Sequence, residues 1–183
     1  MSSHRMPPHP ASHPRTARGR QLAVLAFVAA LLLTGCAKHS ADTSPERGSQ
    51  TGFPVTLTPP DGEKVTLRSR PSRIVSLSPA ETETLYGINA GQQVVAVDKD
   101  SDYPQGVPVS DIDALRPDIE AIAGYQPDLV IASDDTGGLV TGLKKIGVPV
   151  LVLQAPQDLD QTYAEWRTLG RATGHTKDAG ELV

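Results

Sequence analysis

A three-layer α/β fold around a central, mostly parallel sheet is what this 183-residue sequence predicts, and three observations carry it. Short apolar runs recur along the chain: Arg73–Leu77 "RIVSL", Val94–Val97 "VVAV", Leu129–Ala132 "LVIA" and Val150–Leu153 "VLVL". They are rich in β-branched residues and apolar at successive positions, as strands covered on both faces are. Short helical stretches with start and stop residues stand between them, and parallel strands need such crossovers.

The elements follow in chain order. Residues 1–20 carry Arg5, Arg15, Arg18 and Arg20 and no acid, and Leu22–Leu33 "LAVLAFVAALLL" is wholly apolar. A basic segment ahead of an apolar run of this length is the secretory-signal pattern. Twelve residues rise about 18 Å as a helix, short of a ~30 Å hydrocarbon core. The only cysteine, Cys36, stands three positions beyond Leu33, after Thr34 and Gly35. Leu33-Thr34-Gly35-Cys36 resembles the lipobox of bacterial lipoproteins, so residues 1–35 are expected to be a signal peptide and Cys36 a lipidated N-terminus. Several acyl chains anchor stably where one is marginal. Ala37–Gly52 has almost no large apolar residue, and 36–52 reads as a flexible tether.

Without the leader, 13 basic side chains face all 21 acidic ones, a net charge of −8. Nucleic acid is a poor partner for such a surface, and a basic protein surface a better one. The 148 residues that remain suit one domain.

Order begins near Phe53. Two alternating runs flank Pro59-Pro60-Asp61-Gly62, which predicts a β-hairpin. Ser78, Pro79 and Glu81 predict a capped helix start with a capping box. Pro117 predicts the first turn of "PDIEAIAGY", and Gly147 the stop after "LVTGLKKI". A last helix is expected from Asp158, with Leu159, Tyr163, Trp166 and Gly170 on one face and Trp166 packed in the core. The whole reads as a Rossmann-like lobe over 53–157, with the hairpin at its front. Ligands of such sheets bind outside the carboxyl ends of the strands. The loops expected there are Ser78–Glu81, Asp98–Tyr103, Ser133–Gly138 and Gln154–Gln157.

Catalytic signatures do not appear in the sequence. After Cys36 stand two histidines, His39 and His175, and no second cysteine. No Gly-x-Ser-x-Gly elbow, dinucleotide fingerprint or P-loop appears, and "DDTGGL" lacks the Lys-Ser/Thr of a Walker motif. The carboxylate pairs Asp98/Asp100 and Asp134/Asp135 fit solvated acidic loops. A bare-metal receptor would show several histidine and carboxylate ligands. No enzyme, cofactor or metal site is expected.

From "RIVSLSPAETETLYGINAGQQVVAVDKDSDYP" through "PDIEAIAGYQPDLVIAS" the chain resembles the extracytoplasmic substrate-binding proteins of ABC importers for ferric siderophores, haem and cobalamin. The carrying motifs are Ser76–Pro79, Thr82–Gly87, Asp102–Pro104, Pro117–Glu120 and Gln126–Val130, with "LKKIGVPVLVL" and "LGRATGH". The resemblance runs from Arg73 to Val183. It implies two Rossmann-like lobes joined by one long helix, with the ligand clamped between them. Residues 158–183 would start that interlobe helix, fraying beyond about Gly174, and the second lobe would be absent. A fragment or prematurely ended product is then expected, with weak or absent binding on its own.

By the same resemblance Ser78, Pro79, Ala80, Glu81, Asp98, Lys99, Asp100, Tyr103, Ser133, Asp134 and Asp135 line the ligand cleft. Ser78 fits helix capping as well as ligand contact, and Tyr103 fits loop packing beside Pro104. Asp100 stands where the cobalamin-binding member carries an aromatic on the corrin, which favours polar or cationic ferric chelates. Glu120 matches a glutamate that pairs with arginines of the permease, and also fits an exposed helix position. The implied function is a lipid-anchored receptor on the outer face of the cytoplasmic membrane. Its partners would be an ABC permease, its ATPase and a metal chelate. A Rossmann-like enzyme and a protein-binding surface lipoprotein are the alternatives.

Overall fold

Four of the apolar runs form the central sheet. A computed structural model describes residues 52–59 and 63–183. The leader, Cys36 and the tether up to Thr51 lie outside the described residues, as do Pro60, Asp61 and Gly62 of the expected turn. The strands are β3 (Ile74–Leu77), β4 (Val94–Val97), β5 (Leu129–Ala132) and β6 (Val150–Val152). They lie in the order β4-β3-β5-β6, and each neighbouring pair is parallel. Every residue of the central β3 and β5 is buried, whereas the edge strands β4 and β6 each keep one half-buried position. The register is fixed at the amino edge. The Asp128 carboxylate, one residue before β5, accepts from the Ser72 and Arg73 backbone N–H groups at 2.8 and 2.9 Å and from the Ser72 hydroxyl at 3.0 Å.

Ahead of the sheet, β1 (Val55–Leu57) and β2 (Val65–Leu67) pair antiparallel as the expected hairpin. Leu57, Val65 and Leu67 face the core, and Thr56 and Thr66 point outward with their hydroxyls 3.0 Å apart.

Helices cover both faces, and strand residues alternate between two cores. Ile74, Val97, Leu129, Ile131 and Leu151 pack under the hairpin, α1 (Pro79–Gly87), α4 (Leu159–Thr173) and α5 (Thr176–Glu181). Val75, Leu77, Ala96, Val130 and Val150 face the other way, onto α2 (Ile119–Gly124) and α3 (Leu139–Lys145). This is the three-layer α/β lobe expected from the sequence.

Several local expectations change. Ser78 is the N-cap of α1 with extended backbone (φ −155°), but its hydroxyl makes no cap hydrogen bond. It turns toward the Glu81 carboxyl instead, so the capping box does not form. Pro117 stands outside α2, because Asp118 is the cap. Its Oδ1 accepts from the Glu120 and Ala121 N–H groups at 2.9 and 3.2 Å. Gly147 follows α3 with φ +80°, as expected of a C-terminal glycine.

Helix α4 starts where Asp158 accepts from Gln161 N–H at 2.8 Å. Its expected core face is displaced. Leu159 is 68% exposed, and Tyr163 and Trp166 are half-buried with ring centroids 5.7 Å apart. The buried stripe is Leu169, Gly170, Ala172 and Thr173, because only the second half of the helix crosses the sheet. Trp166 lies beside Pro79, Ala80 and Pro156 in a surface groove rather than in the core. The continuous helix expected over 158–183 is two helices. Gly174 takes φ +77°, His175 N–H closes on Gly170 C=O at 2.8 Å, and the Arg70 Nε donates to the Thr173 carbonyl at 2.7 Å. Helix α5 then folds back and buries Ala179 completely, so the fraying expected beyond Gly174 gives way to a docked turn.

Two predictions follow from this packing. A Cβ on Gly170 would lie 2.5 Å from the Ala179 Cβ, whereas one on Gly180 would meet nothing within 4 Å. Gly170→Ala is expected to destabilise by about 1–3 kcal/mol through overpacking, despite the alanine preference of helices. Gly180→Ala should stabilise by about 0.5–1 kcal/mol. Urea unfolding of both variants checks the pair, and equal effects would contradict the α4–α5 contact. The second concerns Glu165 of α4. Burial first, then the charge of Glu81, pushes its carboxyl up to about 7. A raised carboxyl means that the folded state binds more protons than the unfolded one above the ordinary value of 4.5. Stability should therefore fall as pH rises from about 4.5 to about 7. Thermal melts of Glu165→Gln should show a shallower decline over that window than the wild type.

Candidate functional site

Parallel topology places the ends of all four sheet strands on one edge. The loops that leave it begin at Ser78, Asp98, Ser133 and Leu153. The crossover from β3 to β4 runs through α1 on one face, those to β5 and β6 run through α2 and α3 on the other, and the strand order reverses between β3 and β5. Such a switch point opens a crevice outside the carboxyl ends of the strands.

A buried hydroxyl chain holds the first two loops together. Thr82 of α1 donates to Ser76 of β3 at 2.8 Å, with Ser101 of the second loop the longer alternative at 3.4 Å. Ser76 in turn donates to the Ser78 carbonyl at 3.4 Å, and the Ser101 hydroxyl donates to Asp98. Asp98 N–H bonds the Ser76 carbonyl at 3.0 Å, and Lys99 N–H the Ile112 carbonyl at 2.9 Å. Thr82, Ser76, Ser101 and Asp98 are all at most 1% exposed.

The residues expected to line the cleft divide by burial. Glu81 is 2% exposed and Asp98 1%. Both lie buried beneath the loops. Burial pushes both carboxyls above their ordinary values. Hydrogen bonds from Ser78 to Glu81 and from Ser101 to Asp98 offset part of the rise. Oε2 of Glu81 has no hydrogen-bond partner, and the Asp134 charge adds to its upward shift. Ser78 is buried at 6% and Ser133 is half-buried, while Pro79 and Ala80 are exposed.

Asp100, Tyr103, Asp134 and Asp135 stand at the surface, with Asp102 beside them. Tyr103 is 64% exposed, so the loop does not pack its ring away. Lys99 reaches back to Asp113 at 3.1 Å, and Arg116 holds the same carboxylate at 3.0 Å. These two cations keep Asp113 well below the usual carboxylate range. Asp135 Oδ1 accepts from Val140 N–H at 2.8 Å and fixes the entry to α3. Glu120 is exposed in the first turn of α2, whose chain enters β5 from the amino edge, so its start lies toward the loop edge.

Sequence reasoning missed Thr82, Ser101 and Glu165. Thr82 was visible only as a small polar residue on a helix facing the sheet. Glu165 lies with Gln154, Pro156, Gln157 and Gln161 around a cavity of about 290 Å³ behind the fourth loop. Another cavity, about 420 Å³, lies at the opposite edge against Asp128, Pro149 and Lys144, away from the four loops. Among the described residues, no group of three or more His, Cys, Asp or Glu side chains is placed to hold a metal ion. None of their helices is long and apolar enough to cross a membrane.

Comparison with known proteins places this geometry. Residues 74–183 match the family model described as periplasmic binding protein. An ABC transporter substrate-binding lipoprotein of Bacillus subtilis, YvrC, is 31% identical over 164 residues, covering 86% of this chain and 52% of its own. The cobalamin-binding protein of Halobacterium salinarum is 29% identical over 167 residues, covering 86% of this chain and 45% of its own. The crystal structure of the iron-uptake ABC transporter substrate-binding protein PiuA from Streptococcus pneumoniae superposes with a TM-score of 0.61 at 29% identity. That match covers 69% of this chain and 47% of PiuA. The chain spans about half the length of the curated relatives it matches. Two of these relatives are named as substrate-binding proteins of ABC transporters and the third as a cobalamin-binding protein. The chain belongs to the periplasmic binding protein family.

Proposed function

We propose that this chain is the N-terminal lobe of an extracytoplasmic receptor of an ABC importer. It receives an iron chelate, such as a ferric siderophore or haem, or cobalamin, and presents it to the permease. One observation carries the reading. The edge at which open parallel sheets bind ligands is the edge where a buried frame holds the loop of outward-facing Asp100 and Tyr103, with Asp134 and Asp135 exposed on the loop after β5. Fixed loops with exposed polar and aromatic tips are what a receptor needs, because little ordering cost is left at binding.

Ligand contact is assigned to Pro79, Ala80, Asp100, Tyr103, Ser133, Asp134 and Asp135, with Lys99 contributing through its partner Asp113. Permease docking is assigned to Glu120, exposed on the side of the lobe from which the loops project. The net negative chain suits a basic docking surface. ATP hydrolysis belongs to the partner ATPase. Membrane attachment is assigned to lipid on Cys36, at the end of the apolar run.

The docking role predicts that Glu120→Arg lowers chelate uptake by about tenfold or more, since close interfacial charge pairs couple by about 1.5–7 kcal/mol. The loss should be greatest at low ionic strength. Uptake of radiolabelled ferric chelate, haem and cobalamin by cells carrying the substitution in the intact gene checks this, with circular dichroism reporting the fold. Unchanged uptake of all three would remove the role. Anchoring predicts that Cys36→Ser leaves an unprocessed precursor or a released protein. Intact-mass analysis of the membrane fraction checks it, and a mature unlipidated chain starting elsewhere would overturn the assignment.

A further inference from the structure

We propose that the ligand this lobe receives presents positive charge to it, so that a cationic metal chelate is accepted and an anionic one refused. The inference rests on the receptor reading above and deepens it.

Charge at the loop edge is one-sided. Among the described residues the four loops hold one cation, Lys99, against the carboxyls of Glu81, Asp98, Asp100, Asp102, Asp134 and Asp135. Glu81 and Asp98 are buried, which leaves four carboxylates at the surface. The single cation is already engaged, with Lys99 Nζ 3.1 Å from Asp113. Arg116, just ahead of α2, is held by the same carboxylate at 3.0 Å. Recruiting either for an anionic ligand would break an ion pair at Asp113. Behind the loops Glu81 Oε2 is buried without a hydrogen-bond partner. An anion approaching this edge meets several like charges and no uncommitted cation.

A second, independent feature points the same way. Tyr103 sits between Asp102 and Pro104 with 64% of its surface exposed. A large aromatic left at the surface invites a contact. The face of its ring carries negative quadrupolar potential, which attracts cations. An exposed ring flanked by carboxylates is complementary to a positively charged ligand surface. The exposed acids also raise the local concentration of cationic ligands before contact.

The test titrates the isotope-labelled full chain, in detergent, with two diamagnetic probes while amide resonances are followed. One is the monocationic gallium(III) complex of desferrioxamine B, and the other a trianionic gallium(III) tris-catecholate. The cationic complex is expected to shift amides of residues 79–80, 99–103 and 133–135. The trianion should leave them in place up to millimolar concentration. The double variant Asp100→Asn/Asp134→Asn should weaken the cationic complex by about tenfold, on the scale of one to two screened unit charges. The amide spectrum itself reports whether the variant is folded. Equal or tighter binding of the trianion at these amides would overturn the charge assignment and leave the receptor reading standing. No shift at this edge from either complex up to millimolar concentration would also overturn the charge assignment.

Discussion

The Thr82 hydroxyl, closed to solvent between β3 and the loop after β4, donates to Ser76 at 2.8 Å and lies 3.4 Å from Ser101. Through these contacts one helix, one strand and one loop share a single arrangement. A buried hydroxyl without a partner costs about 1–3 kcal/mol, so each member of the chain makes its neighbours' positions the favourable ones. Ser101 fixes Asp98 and Ser76 meets the Ser78 carbonyl, so both loop starts are set by groups that touch no solvent. The residues of the first two loops are positioned by this frame. Such a network also specifies one core arrangement, because partial satisfaction would be worse than an apolar core.

The frame stands on a sheet whose two edges do different work. At the amino edge Asp128 gathers three donors from Ser72 and Arg73 and locks β3 against β5. Arg73 then reaches the Tyr125 and Gln126 carbonyls at the end of α2. That edge is closed by backbone-directed bonds. The carboxyl edge is left to side chains, because every strand there runs out into a loop. Segregation of stability and recognition to opposite ends of parallel strands follows from topology, since each crossover helix returns the chain to the amino edge before the next strand.

Much of the fold was legible in the sequence because its signals are local. Runs such as "LVIA" at Leu129–Ala132 have few alternatives to a buried strand, and Gly147 marked the end of α3. Where expectation and structure part, tertiary contacts decided. Asp118 displaced Pro117 as the start of α2 because its carboxylate satisfies two free N–H groups, which proline cannot do. The helix after Asp158 keeps its periodicity, yet Leu159 is exposed because the sheet lies only under Leu169 and Ala172. The break at Gly174 depends on Arg70, more than a hundred residues earlier in the chain, capping the Thr173 carbonyl. No window of sequence around Gly174 contains that partner.

The candidate site shows the same division. Its location was legible, since loops after parallel strands must share an edge. Its chemistry was half legible, because the sequence presents Glu81, Asp98, Asp100 and Asp134 as equivalent acids. Burial separates them. Glu81 and Asp98 lie under the loops, where loss of water raises both carboxyls toward their neutral forms. There they accept hydrogen bonds from the Ser78 and Ser101 hydroxyls within the frame. Asp100 and Asp134 stay in water and remain available to a ligand. On the proposed reading, selectivity by charge is assigned to exposed side chains above a buried layer. On that reading a substitution in the upper set is expected to change which ligand is accepted, whereas one in the lower set is expected to disturb the edge itself.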